Sequence, residues 1–200
     1  MKVKEAKQIT GSMTRTSKMP GLSYSLPAWE CKTGAKLAKV AGSVCSGCYA
    51  MKGNYTRYPA IKAAQYVRLK AINDPRWVDA MVAQIKNQKY FRWHDAGDLQ
   101  GPEHLKKIFE VCKRTPETKH WLPTREAQYL KLIDPEVVPE NLTIRMSSHM
   151  IDQAPVSFWP WTSTVGSKTR TCPAPDQGNS CGSCRACWDR NTKNVEYGKH

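Results

Sequence analysis

Apolar and polar positions along the chain follow two rhythms, one of period two and one of three to four. Gly21-Leu-Ser-Tyr-Ser-Leu-Pro27 alternates apolar with small polar residues, as a strand with one buried face does. Pro59 through Ile72 predicts a helix, with Ala60, Ala63, Ala64, Val67 and Ala71 on one face and Lys62, Arg68 and Lys70 on another. Asp74-Pro75 restarts a helix through an N-cap and a proline at its first position, and Val78, Met81, Val82 and Ile85 form its stripe. Tyr90-Phe-Arg-Trp-His94 predicts the next strand, ended by Asp95-Ala-Gly-Asp98. A helix over 102–113 follows, then a short strand at His120-Trp-Leu-Pro123 and a helix capped by Thr124 that carries Ala127, Leu130 and Ile133. Asn141–Met146 is a strand closing on Ser147-Ser-His149, and Ser157–Thr162 is a last strand weakened by Pro160.

Strand–helix alternation at this spacing predicts βα units, a parallel sheet and right-handed crossovers. Five strands are too few for a closed eight-stranded barrel but suffice for a partial one. The predicted fold class is therefore α/β, a partial parallel (βα) barrel over residues 21–165. Residues 1–20 read as a basic N-terminal arm or edge element. Residues 166–200, rich in Gly, Pro, Ser and Cys, read as an irregular cysteine-rich segment shaped by a metal centre rather than a core. Loops leaving C-terminal strand ends gather on one face in such folds. Four polar clusters leave strands that way: the Cys31/Cys45/Cys48 loop, His94–Asp98, Thr124-Arg125 and Ser147-Ser-His149.

Composition excludes several classes. The chain has 31 Lys+Arg against 17 Asp+Glu, a formal charge of +14, and its 40% hydrophobic residues include seven Trp, which rules out a disordered polyelectrolyte. No apolar run is long enough to span a membrane, and the N-terminus lacks a secretory apolar region. A cytoplasmic location is expected. Residues 31–73 contain no Asp or Glu, while Lys32, Lys36, Lys39, Lys52, Arg57, Lys62, Arg68 and Lys70 fall within them. Such a field attracts polyanions, so nucleic acid is a candidate partner.

Seven of the eight cysteines fall into two groups, C-x13-C-x2-C at Cys31, Cys45 and Cys48, and C-x8-C-x2-C-x2-C at Cys172, Cys181, Cys184 and Cys187. A C-x2-C pair turns two thiolates toward one point, as tetrahedral zinc or an iron–sulfur cube requires. The first group offers three thiols and no nearby His, which leaves one position of a four-iron cluster open. The second offers four and can close a centre. This arithmetic favours one or two [4Fe-4S] clusters over Zn2+, which stands as the alternative. Cys112 lies instead on the stripe Leu105, Ile108, Phe109, Cys112 of a helix and reads as core. Trp93, Trp121, Trp159 and Trp161 read as core rather than base-stacking platforms. Arg125 after a strand suits a carboxylate or phosphate, and His149 and His94 stand at strand ends. Ser147 and Ser148 beside His149 lack the G-x-S-x-G elbow of a hydrolase.

The stretches Gly42-Ser-Val-Cys-Ser-Gly-Cys-Tyr-Ala-Met-Lys-Gly53, Arg92-Trp-His-Asp-Ala-Gly-Asp98, His120-Trp-Leu-Pro-Thr-Arg125 and Cys181-Gly-Ser-Cys-Arg-Ala-Cys-Trp188 together resemble a family of phage and mobile-element cysteine-rich proteins. That family is similar to minimal radical S-adenosylmethionine (SAM) enzymes. The resemblance implies a radical-SAM-like partial barrel, a three-cysteine loop after the first strand and SAM as cosubstrate. Cys45-x2-Cys48 fits the second half of the usual C-x3-C-x2-C loop, whereas the first gap here is thirteen residues. Tyr49 stands beside the last cysteine. Asp95 and Asp98 occupy the place of the turn that holds the methionyl amine. Three readings follow: a radical-SAM-like enzyme acting on an unknown substrate, a metal-stapled basic nucleic-acid-binding protein, and an iron–sulfur redox or sensor protein without SAM chemistry.

Overall fold

Short runs rich in aromatic and β-branched residues pair into one sheet in the computed structural model, which describes residues 1–199. Its strands are β1 (Leu22–Tyr24), β2 (Tyr90–Trp93), β3 (Lys119–Thr124), β4 (Leu142–Ser147), β5 (Thr162–Gly166) and β6 (Asn194–Gly198). Every neighbouring pair is parallel, and spatial order follows sequence order from β1 to β6. The sheet is open, with β1 and β6 at its edges. The helices are α1 (Val3–Thr10), α2 (Gly34–Leu37), α3 (Asn54–Arg57), α4 (Pro59–Ala71), α5 (Trp77–Ile85), α6 (Pro102–Lys113) and α7 (Ala127–Leu130).

The two faces of the sheet are covered by different chemistry. On the helix side, Phe91, Trp93, Leu122, Leu142, Ile144 and Met146 join Trp77, Met81, Ile85, Leu105 and Ile108 in the main core. Full burial of such a side chain stabilises by roughly 1.5–3 kcal/mol, so this layer carries the fold. Cys112 lies in it with no exposure, as its helical position predicts. On the other face, Trp121 packs with Met19 and Trp188, and the Thr143 hydroxyl donates to Trp188 O at 3.0 Å. The C-terminal segment therefore covers the face that the helices leave bare. Trp93, Trp121, Trp159 and Trp161 are all buried.

Several local expectations are corrected. Residues 3–10 form α1 rather than an arm. Ala6 and Thr10 are buried, and Gln84 Nε2 on α5 donates to Thr10 Oγ1 at 2.7 Å. Helix α4 buries Gln65, Arg68 and Ala71, so of the predicted face only Ala71 is buried, while Ala60, Ala63 and Val67 are exposed. Arg68 turns inward because main chain and hydroxyl receive it: Nε donates to Ser12 O at 2.9 Å and Nη1 to Ser25 Oγ at 2.8 Å. It is thus no part of the basic surface. Helix α5 starts at Trp77, since Asp74 turns its carboxylate onto Arg76 N at 2.8 Å and caps a preceding turn. The last predicted strand begins only after Pro160, at Thr162, because proline cannot donate to a ladder.

A sixth strand, β6, lies within the tail, where Asn194–Gly198 pairs with Thr162–Gly166. A core therefore holds this segment too: Trp188 and Val195 are buried. Its last residue, His200, lies outside the described residues. No helix among those described is long and apolar enough to cross a membrane.

Candidate functional site

The long loop after β1 is fastened to the C-terminal ends of three other strands. Thr33 N and Oγ1 donate to the two oxygens of Glu126, just past β3, at 2.8 Å each. Val44 N donates to His149 O past β4 at 2.9 Å, and Ser43 bridges Met150. The Tyr49 hydroxyl donates to the Asp95 carbonyl past β2, and Tyr55 Oη donates to Asp95 Oδ2 at 2.9 Å. Ser23 of β1 completes the clasp, its Oγ donating to Asp95 Oδ1 at 2.6 Å. The four polar clusters read from the sequence thus converge on one mouth, and Cys31, Cys45 and Cys48 lie in the loop they hold.

The three thiols are neighbours. A Cβ placed on Gly34 would lie 3.1 Å from Cys31 Cβ, 3.5 Å from Cys45 Sγ and 3.6 Å from Cys31 Sγ, so both sulfurs flank the space that glycine leaves free. Cys48 N donates to Cys45 O at 3.1 Å, closing the tight turn of the C-x2-C pair. Burial, then the charges of Asp98, Cys48, Cys45 and Glu126, push the Cys31 thiol far above its ordinary range. Burial also raises Cys45, against the lowering effect of Arg125.

The carboxylates at the mouth are engaged by the chain itself. Asp98 Oδ1 accepts from Leu99 N at 2.7 Å and Thr124 Oγ1 at 2.6 Å, and Oδ2 accepts from Arg125 N at 2.8 Å. Burial raises its pKa to about 6 although those three donors pull it down. Arg125 Nε donates to Ser148 O at 3.2 Å, and His149 Nε2 lies 3.1 Å from Arg125 O. Asp98, Arg125 and His149 therefore tie the ends of β2, β3 and β4 together. His94 stands apart from this network: it is buried, with a left-handed φ of 58° and both ring nitrogens unpartnered among the described residues.

The rear cysteines meet elsewhere. Cys172, Cys181, Cys184 and Cys187 all line one cavity of about 30 Å³, backed by Trp188 and Val195. Cys184 N donates to Cys181 O at 2.9 Å, Cys172 N to Glu196 O on β6 at 2.9 Å, and Cys181 N to Lys18 O at 2.8 Å. Cys187 Sγ lies 3.1 Å from Tyr197 Oη, and burial raises this thiol to about 11. Beside it stands Arg145, unexposed on β4. Its guanidinium donates to five main-chain carbonyls, of Thr162, Ala186, Cys187, Asp189 and Thr192, at 2.5–3.1 Å, and to no carboxylate among the described residues. Arg92 on β2 stacks over Trp121 at 4.5 Å, and its Nε has no partner among the described residues.

No disulfide forms among the described residues, and Cys112 remains apart in the core. Among the same residues, no three His, Cys, Asp or Glu side chains are arranged to hold a metal ion. The side chains beside the space at Gly34 and those around the rear cavity are nonetheless of the thiol type that thiolate ligation uses. Sequence reading missed Glu126, Tyr55, Arg92 and Arg145. An acid directly after Thr124-Arg125 at a parallel strand's C-terminal end was the one available signal, for Glu126.

The fold and these loops define a sequentially ordered parallel α/β protein that gathers thiols in two places. The chain belongs to the Gene product 88 family, a phage-like family matched over residues 1–190. Neither a curated protein nor a solved structure matches it. The family match carries no radical-SAM or iron–sulfur relative.

Proposed function

We propose that this chain is an iron–sulfur enzyme of the radical SAM type, its cluster held by Cys31, Cys45 and Cys48. The observation that supports it is the position of these thiols: after the first strand, at the C-terminal mouth of a sheet ordered β1 to β6, the arrangement of a partial (βα) barrel. Held by three thiolates, a four-iron cluster keeps one iron open and supplies one-electron reduction of bound SAM. The chain's own residues then bind and orient the cosubstrate. An ionised carboxylate offers about four acceptor sites. Asp95 uses two on Ser23 and Tyr55, and Asp98 uses three on Leu99, Thr124 and Arg125, so acceptors remain for an ammonium group. Arg125, whose charge reaches Cys45, suits a carboxylate, with His149 fixing its main chain and Tyr49 bordering the last cysteine.

The rear quartet forms a closed centre. Four thiolates around one metal centre carry net negative charge, which Arg145 and Arg92, whose charges reach Cys187, would offset. A second reading of this centre, as structural zinc, has its own support: a cavity of about 30 Å³ is the size of one or two small atoms, and a set of four thiolates suits tetrahedral zinc.

Anaerobic purification after supply of iron and sulfide tests the proposal. The expected result is brown protein that releases 5′-deoxyadenosine with SAM and dithionite, an activity abolished in Cys45→Ala. Colourless protein with stoichiometric zinc at both groups and no nucleoside release overturns it.

A further inference from the structure

Among the described residues, three of the four exposed aromatic side chains, Tyr49, Tyr58 and Tyr66, lie in or just after the front cysteine loop, and the fourth is Phe158. Tyr58, the N-cap of α4, and Lys62 and Tyr66 within the helix recur every four residues along one side, with Tyr58 49% and Tyr66 40% exposed. Trp29, two residues before Cys31, leans onto this stripe. Its Nε1 donates to Tyr66 Oη at 2.6 Å, and Lys62 Nζ sits 5.0 Å above its ring. Ile61 and Val67 are exposed on the same helix. The surrounding cations are exposed as well: Lys39, Lys52, Arg57 and Lys70. One acid reaches the platform, Glu30, which accepts from Tyr66 Oη at 3.0 Å, and residues 31–73 contribute none.

We infer that this stripe is a binding surface for single-stranded nucleic acid, which makes such a strand the substrate class of the proposed enzyme. Such a strand and this stripe are complementary. Exposed rings interleaved with lysines offer what an unpaired strand presents, flat bases to stack on and phosphates to neutralise. A duplex hides its base faces and can use the charge alone. Trp29 fixes the platform two residues from a front thiol, so a strand stacked there passes the mouth. The inference rests on the enzyme reading only for that last consequence, and binding stands or falls by itself.

Fluorescence anisotropy of the full chain with a labelled oligothymidine of about 16 nucleotides, and with the matching duplex, tests it. Tighter binding of the single strand is expected, weakening at least tenfold in Tyr58→Ala/Tyr66→Ala. Tyr66→Phe keeps the ring and binds as the parent does, while Lys62→Gln lowers the salt slope by about one. Equal or tighter duplex binding that the tyrosine variant leaves unchanged overturns the inference, as does absence of binding to either probe at low salt. Iron content and nucleoside release report on the centre independently, so each proposal fails by its own measurement.

Discussion

The front thiols are framed by acids with one guanidinium, Arg125, among them, and the rear thiol Cys187 by the guanidinium groups of Arg145 and Arg92. Around Cys31, Cys45 and Cys48, Glu126 and Asp95 act as clasps for the loop and Asp98 binds neighbouring strand ends. Around Cys187, Arg145 gathers five carbonyls of the tail and of β5, and Arg92 lies against the same face. The front loop is thus hung from strand ends through side chains at an open mouth, whereas the rear segment is laid on a sheet face and counts among the layers of the fold. A centre at the first place can meet a substrate. A centre at the second place would hold structure.

On that contrast, the largest effect belongs to the rear. Cys181→Ala/Cys184→Ala would remove two of the four ligands of the proposed rear centre, and the loss of several kcal/mol expected for a structural metal would lower Tm sharply. Cys45→Ala instead abolishes activity with a small change in Tm, and equal Tm losses would erase the distinction. Next, Arg145→Met strands five carbonyls in a buried site and costs about 3–5 kcal/mol, read as a lower denaturation midpoint with loss of rear metal. Arg145→Lys retains the charge and recovers only part of it.

Acid tests the core beneath the mouth, where burial holds His94 and His120 down to about 3 and keeps His104 low as well. The folded chain cannot take up these protons, while the unfolded chain does so below about 6.5. Their contribution is therefore present above pH 6.5 and is lost as pH falls toward 3, roughly 1 kcal/mol for each imidazole at pH 5.5. Denaturation at pH 7.5 and 5.5 measures it, and unchanged stability would show the rings to be protonated inside. Glu126→Ala frees Thr33 and costs about 1–3 kcal/mol, with iron lost from the front centre and the rear metal retained. The smallest effect is that of Gly34→Ala, whose Cβ meets Cys31 Cβ at 3.1 Å. It shifts the neighbour by a few tenths of an ångström and lowers front occupancy at a cost of about 1 kcal/mol or less.

Strands β2, β3 and β4 and helix α6 were legible because each follows one period from end to end. So was the convergence of polar clusters, since parallel strands send their C-terminal loops to one side. Helix α4 was legible as a helix and misread as to face, because Arg68 is buried by acceptors from Ser12 and Ser25, far away in sequence. Strand β6 escaped because Asn194-Val-Glu-Tyr-Gly198 is short and sits in a segment whose glycines and cysteines mask its alternation.

By its own composition and spacing, the chain determined the strand–helix rhythm, the positive charge and the two sets of thiols, since period and ligand count are local properties. Tertiary structure decided the rest: which carboxylate holds which loop, which arginines are buried, and that the tail becomes a layer of the sheet. Those outcomes depend on donors and acceptors brought together across the sheet from distant positions, and no local pattern encodes such a meeting.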